Sequence, residues 1–267
     1  MRRRSYLKTL SLTALAPSLC CQTYAASPSL PIIDTHQHLW DLELFPLSWV
    51  KAPLDKDFLM KDYLIAIEGQ HVIKSIYMEV GVPPELKKKE ALWALDACKN
   101  PGNPMVGAVI SADPTRADFE AEIRFLAKDP CLKGIRYTFR NKEEIRMPGV
   151  LNNIRLLGEL GLSMDLNFSP GNLHLGNLLL DECTGTQFII NHCGGADPIV
   201  FLPKGREAAR EGRHHRDQWS SDLKQLAQHK NVICKISGIV DNAGTFPLKP
   251  ADLAPIIDFC LDNFGPD

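Results

Sequence analysis

The sequence predicts an α/β fold on a parallel sheet: a (β/α)8 TIM barrel of which seven strand–helix units are present. Three observations carry that prediction. Short β-branched runs alternate with longer helix-like stretches from about Pro31 to the end of the chain, the pattern of strands joined by helical crossovers. Polar side chains fall near the C-terminal ends of many different strands, as in barrel sites assembled on one face. No GxGxxG and no GxxxxGK[ST] occurs, so the glycine-rich first turn of an open nucleotide-binding sheet is missing.

Strand one is expected in PIIDTHQHLW (residues 31–40), strand two in VIKSIYMEV from Val72 and strand three in PMVGAVISAD from Pro104. LKGIRYTF from Leu132, LSMDLNF from Leu162, QFIINHC from Gln187 and NVICKISG from Asn231 supply strands four to seven. Between them lie ELKKKEALWALDACK, RADFEAEIRFLAK, GVLNNIRLLGELG, NLLLDECTG and DQWSSDLKQLAQHK, and LAPIIDFCLDNFG follows the seventh strand. In the second of these, Phe119, Ile123 and Leu126 fall at helical spacing with charge elsewhere, the mark of an amphipathic helix. The last helix runs into Gly265-Pro266-Asp267, a helix stop. An eighth strand would follow, so the chain reads as one unit short of a closed barrel, with two open sheet edges.

The 267 residues are 45% hydrophobic and 23% charged, an ordinary globular balance, and the net charge of −2 argues against a polyanionic partner such as nucleic acid. No stretch approaches the roughly 20 apolar residues of a membrane span. Residues 1–25 read as an export signal. A basic start precedes a mildly apolar run, with small residues at Ala25 and Ala26 as a cleavage zone. Arg3-Arg4-Ser5-Tyr6-Leu7-Lys8 resembles the bacterial twin-arginine signal. A periplasmic protein is therefore expected, with residues 26–267 as its single domain. The six cysteines beyond the signal are scattered singly, with no CxxC pair, and most of them read as small buried residues.

Candidate chemistry begins at IDTHQHLWD. His36 and His38 are two apart on strand one, so both imidazoles share a face and reach the barrel mouth together. Neutral imidazole suits Zn²⁺ or a similar ion, and two from one strand make a rigid half-site. Glu79 ends strand two, where it would ligate a metal, orient a histidine or simply be solvated. Arg136 on strand four suits a carboxylate or lactone oxygen; an ion pair across the barrel is the alternative. Asp165 and Asn167 share the polar face of strand five and line the lumen. His192 closes strand six and is followed by Gly194-Gly195, which permit close backbone approach to a ligand. Lys235 and Ser237 share one face of strand seven. The loop GREAAREGRHHRDQW is basic enough to greet an anionic substrate, or to be a solvated charged loop.

IDTHQHLW, KGIR, NHCGG and NVICKISG, in this order, resemble the amidohydrolase superfamily, in particular its branch of sugar lactonases, 2-pyrone-4,6-dicarboxylate lactonase and metal-dependent decarboxylases. The resemblance runs from about Pro31 to the last residue. It implies a TIM barrel and one divalent metal ion, Zn²⁺ first, or none. His36 and His38 match the strand-one ligands, and His192 matches a histidine that joins the metal or polarises the substrate carbonyl. The branch does without a carboxylated lysine. It also implies an eighth-strand aspartate that completes the site, beyond the FGPD at which this sequence stops.

The expected function is hydrolysis of a lactone of a sugar acid or dicarboxylate by metal- or histidine-assisted attack of water. His192 and Arg136 would be catalytic. Arg136, Glu79, Asp165, Asn167, Lys235 and Ser237 would hold a small anionic or polyhydroxylated substrate. A decarboxylase on the same scaffold is the first alternative, and a truncated non-catalytic relic the second.

Overall fold

In the computed structural model, residues 30–206 and 211–266 are described, so the expected export signal and Glu207–Arg210 of the basic loop lie outside the described residues. The seven strands are β1 (Ile32–Gln37), β2 (Val72–Met78), β3 (Met105–Ser111), β4 (Leu132–Tyr137), β5 (Ser163–Leu166), β6 (Gln187–Ile190) and β7 (Val232–Cys234). They pair in sequence order and all in parallel, forming one curled sheet, a partly closed barrel.

Helices α1 (Met60–Ala66), α2 (Lys87–Ala97), α3 (Phe119–Leu126), α4 (Lys142–Ile145), α5 (Val150–Glu159), α6 (Leu175–Glu182), α7 (His192–Gly195), α8 (Arg216–Leu226) and α9 (Pro250–Phe264) fill the connections. Every expected strand and helix is present, with the strands trimmed at their ends. β7 is the most shortened, because the chain leaves the sheet after Cys234 and carries Lys235 and Ser237 in an irregular segment. Phe119, Ile123 and Leu126 of α3 are buried as their spacing requires. Helix α1, which had no sequence signal, buries none of its residues. Among the described residues, no helix is long and apolar enough to cross a membrane.

The core lies between sheet and helices, where Ile135, Met164, Leu166, Phe188 and Ile190 of the strands pack within one cluster with Ile154, Leu157, Leu179 and Leu223 of the helices. This core fixes the strand ends, and the strand ends carry the site. A long connection from His38 to Leu59 is tied back by paired backbone bonds between Trp40 and Phe58, both 2.9 Å. Buried Phe45 and Leu47 anchor its middle.

Candidate active site

Three imidazoles meet at the barrel mouth. His36 lies in β1 and His38 one residue past it; their ring centroids are 4.9 Å apart, and His36 is 4.6 Å from His192. His38 Nδ1 is 2.9 Å from the Met78 carbonyl, which fixes a tautomer with the proton on Nδ1 and a lone pair on Nε2. His192 Nδ1 is 3.0 Å from Ser237 Oγ. Both ring nitrogens of His36 are buried without a hydrogen-bond partner, a costly arrangement unless a ligand satisfies them.

All three rings are held neutral. Burial, then His38 and Lys235, push His36 down to about 2. Burial and then Arg136 bring His38 to about 4, and burial followed by Arg136 and Lys235 lowers His192.

Two charge pairs brace this cluster. Arg136 on β4 donates through Nε to the Glu79 carboxylate and through Nη2 to the Glu79 carbonyl at 2.8 Å. Glu79 also accepts from the Gly81 amide at 2.7 Å. The two residues foreseen as separate substrate contacts are thus joined in one ion pair, itself nearly buried. On the other side Lys235 Nζ lies 3.0 Å from Asp165 Oδ1 and 3.4 Å from the Thr35 carbonyl. Asp165 is fully buried, and burial raises its carboxyl despite the opposing Lys235 charge.

His192 owes its position to an unusual backbone. His192, Cys193, Gly194 and Gly195 have φ of 56°, 51°, 63° and 71°, so α7 is a single left-handed turn. Such a turn is strained for residues with a Cβ, and it is held by Cys193 N–H donating to the Lys235 carbonyl (2.9 Å) and by Trp219 Nε1 donating to the Cys193 carbonyl (2.9 Å). The glycines were singled out in the sequence; the requirement at Gly238 was not. Gly238 has φ +65°, and a Cβ on it would overlap the His192 ring.

Three clefts converge on the cluster. His38 lines one of about 180 Å³ with Arg136 and Trp49. His192 lines one of about 640 Å³ with Asn167, Arg213 and Asn242. His36 lines one of about 460 Å³ between β1 and the β7 end, with Lys235 and Ser237. Each sequence-selected residue therefore borders a cleft or braces one. A further cleft of about 640 Å³, beside Asp113 and Tyr137, lies outside the cluster. In the basic loop Arg206 is bound to Asp252 at 2.7 Å, whereas Arg213 reaches the His192 cleft and bonds Asn242 at 3.0 Å. Trp49 and Arg213 carried no periodic signal, being single residues in loops.

Three neutral imidazoles, one with orphaned nitrogens, are the donor chemistry a divalent cation takes. As they stand, no group of three or more His, Cys, Asp or Glu among the described residues is arranged to hold a metal ion. The donors fit; a ready-made three-ligand cage is not formed.

Comparison with known proteins identifies the fold and the family. L-fucono-1,5-lactonase of Burkholderia ambifaria is 26% identical over 240 residues, covering 87% of this chain and 76% of the relative. Crystal structures of an amidohydrolase from Burkholderia multivorans superpose with a TM-score of 0.73 (HEPES bound) and 0.72 (Zn bound), at 21% identity. Each superposition covers 89% of this chain, and 82% and 81% of that chain respectively. These likenesses show the fold. The family model described as amidohydrolase matches residues 33–267, and the chain belongs to the amidohydrolase family, a family of hydrolases.

Proposed function

We propose that this protein hydrolyses a small lactone, of a sugar acid or a dicarboxylate, at the imidazole cluster. The observation that carries the reading is the meeting of three neutral imidazoles between two fixed cations, Arg136 and Lys235. The lactonase relative supports the bond type.

The residues divide the work as follows. With Nδ1 engaged by Ser237, His192 offers Nε2 to a water molecule as a general base. Water oxygen adds to the lactone carbonyl as its proton passes to the imidazole. The charge that develops on the carbonyl oxygen falls in the field of Arg136 and Lys235, both held before substrate arrives, so little reorganisation is needed. Collapse breaks the ring C–O bond, and the leaving alkoxide takes the proton from the imidazolium. The products are a carboxylate, an alcohol and one proton in solution at neutral pH. Asn167 and Arg213, on the rim of the His192 cleft, supply hydrogen bonds to ring substituents. A divalent cation would be held by His36 and His38, leaving His192 Nε2 free as the base, and would supply polarisation of the carbonyl.

Export through a twin-arginine route is part of the same reading, supported by the Arg3-Arg4 sequence.

The test is a panel of hexono-1,5-lactones and 2-pyrone-4,6-dicarboxylate, followed in weakly buffered indicator solution. One proton released per ring opened is expected. Carbon dioxide evolved from a carboxylated substrate without ring opening would establish the decarboxylase alternative instead. Purified, folded protein inert to the whole panel, with and without Zn²⁺, would overturn the proposal.

A further inference from the structure

The small cleft beside His38 contains a residue that no step above uses. Trp49 sits in the long connection after β1 and is 47% exposed, although indoles of its size are usually buried. The one polar atom of its side chain is already engaged: Nε1 donates to the Val80 carbonyl at 2.7 Å, so what the ring offers a ligand is carbon. Its orientation is fixed twice more. The Trp40 ring meets it edge-on, with centroids 5.8 Å apart and planes at 70°. Trp40 in turn is held by Nε1 donating to the Lys56 carbonyl at 2.8 Å. Gly81 passes close under the indole, where a Cβ would stand 3.5 Å from Nε1. The side chain is therefore an immobilised aromatic surface, and it shares its cleft with His38 and Arg136.

We infer that Trp49 is the platform on which the substrate ring lies, and that the substrate is therefore a cyclic ester with an apolar C–H face rather than an open-chain one. This deepens the lactonase reading and rests on it. A flat indole with its N–H spent cannot grip hydroxyls; it gains by covering carbon. A pyranose-type lactone presents one C–H-rich face to such a surface and keeps its hydroxyls at the ring edge. There Arg136, which lines the same cleft, can reach them. An open-chain ester has no such face. Rigidity adds to the effect, since the indole loses no further rotamer freedom when the ring lands on it. Trp49 is thus a residue of specificity, placed to decide which esters reach the imidazoles.

The experiment compares the full-length protein with W49F, which keeps an aromatic face, and W49L, which keeps apolar bulk without one. Steady-state kinetics on D-glucono- and L-fucono-1,5-lactone are set beside an acyclic aliphatic ester, methyl 3-hydroxybutyrate, with acid release followed by pH indicator. Binding of D-glucono-1,5-lactam, which is not hydrolysed on this timescale, is titrated by calorimetry. W49L should raise KM for the better lactone at least tenfold with kcat within threefold, and leave the acyclic ester unchanged. W49F should stay within threefold of the parent, and lactam affinity should fall in step with the lactone KM. Equal effects of W49L on lactone and acyclic ester, or undiminished lactam affinity, would overturn the platform. The two readings fail separately. Lactam binding that depends on Trp49 without lactone turnover would keep the platform and sink the lactonase. Lactone turnover indifferent to W49L would do the reverse, and absence of both turnover and lactam binding would sink both. Unchanged circular dichroism and Tm in both variants show that the loop still folds.

Discussion

At the scale of single residues, Gly238 has the sharpest consequence. Its φ of +65° lies in the left-handed region, and any Cβ there would overlap the His192 imidazole. Gly238→Ala should therefore displace the ring rather than unfold the protein. The expected result is a Tm within about 5 °C of the parent, the shift of roughly 1–2 kcal/mol in a domain of this size. Activity should fall by a factor on the order of 10² to 10⁴, the usual share of a general base. Loss of fold together with activity, read by circular dichroism, would contradict it. Glu90 on α2 gives a second prediction. Its Oε1 accepts from Tyr77 Oη at 2.9 Å and from the Val80 amide at 2.8 Å, but its Oε2 is buried without a partner. Burial raises its pKa from 4.5 to about 7. The folded protein thus holds a proton that the unfolded chain gives up. Stability linked to Glu90 is complete below the unfolded value, declines as pH rises through this window, and is gone above about 7. The difference amounts to roughly 3 kcal/mol. Glu90→Gln cannot titrate, so the drop in urea-unfolding free energy from pH 4.5 to 7.5 should be smaller in the variant by an amount of that order. Parallel pH profiles for the two proteins would show that Glu90 ionises normally in the fold.

At the scale of elements, the site is an agreement among strand ends, and this is where reading the sequence and seeing the fold part company. The β-branched runs announced all seven strands, and period-2 alternation placed His36 and Asp165 on inward faces. What a linear reading cannot hold is which inward residue meets which. Arg136 finds Glu79 across 57 positions, and Lys235 finds Asp165 across 70. Each was legible as a polar strand-end residue, and Arg136 alone as half of an ion pair, with its partner unnamed. Helix α1 was missed for a related reason: it buries no residue, so it needs no apolar stripe. The pairing itself is testable. Lys235 is the counter-charge to a fully buried Asp165, and removing one partner of such a pair typically costs about 3–5 kcal/mol, whereas replacing both with apolar groups is often neutral. Lys235→Met should accordingly destabilise by about that amount at pH 7.5, and Lys235→Met with Asp165→Leu should recover most of it. A double variant no more stable than the single one would show that β5 and β7 are joined by something other than this pair.

At the scale of the whole molecule, the curled sheet does not close on itself. β1 pairs with β2 and β7 with β6, and among the described residues no backbone pairing joins β1 to β7. Among the described residues, one hydrogen bond across that side is Lys235 Nζ donating to the Thr35 carbonyl, above a cleft of about 460 Å³. The residues flanking it are apolar and open: Ile32 at 45%, Ile33 at 52% and Ile236 at 39% exposure. Unpaired, apolar strand edges are templates for pairing with another chain, and natural sheets blunt them with charge. Here Lys74 on β2 lies one strand in, and the Ile32–Ile33 edge carries no charge of its own before Asp34. A polypeptide of residues 31–267, prepared by itself, should therefore self-associate in proportion to its concentration. Light scattering coupled to size-exclusion chromatography, from about 1 to 100 µM, should show mass rising with loading. Ile33→Lys should suppress the rise by placing a charge where a second edge would dock. The substitution is on the exposed side of the strand, so Tm should hold and His36 should keep its place. A monomer at every concentration would mean that this edge is covered in solution, and Ile33→Lys would then lower Tm instead of changing the mass.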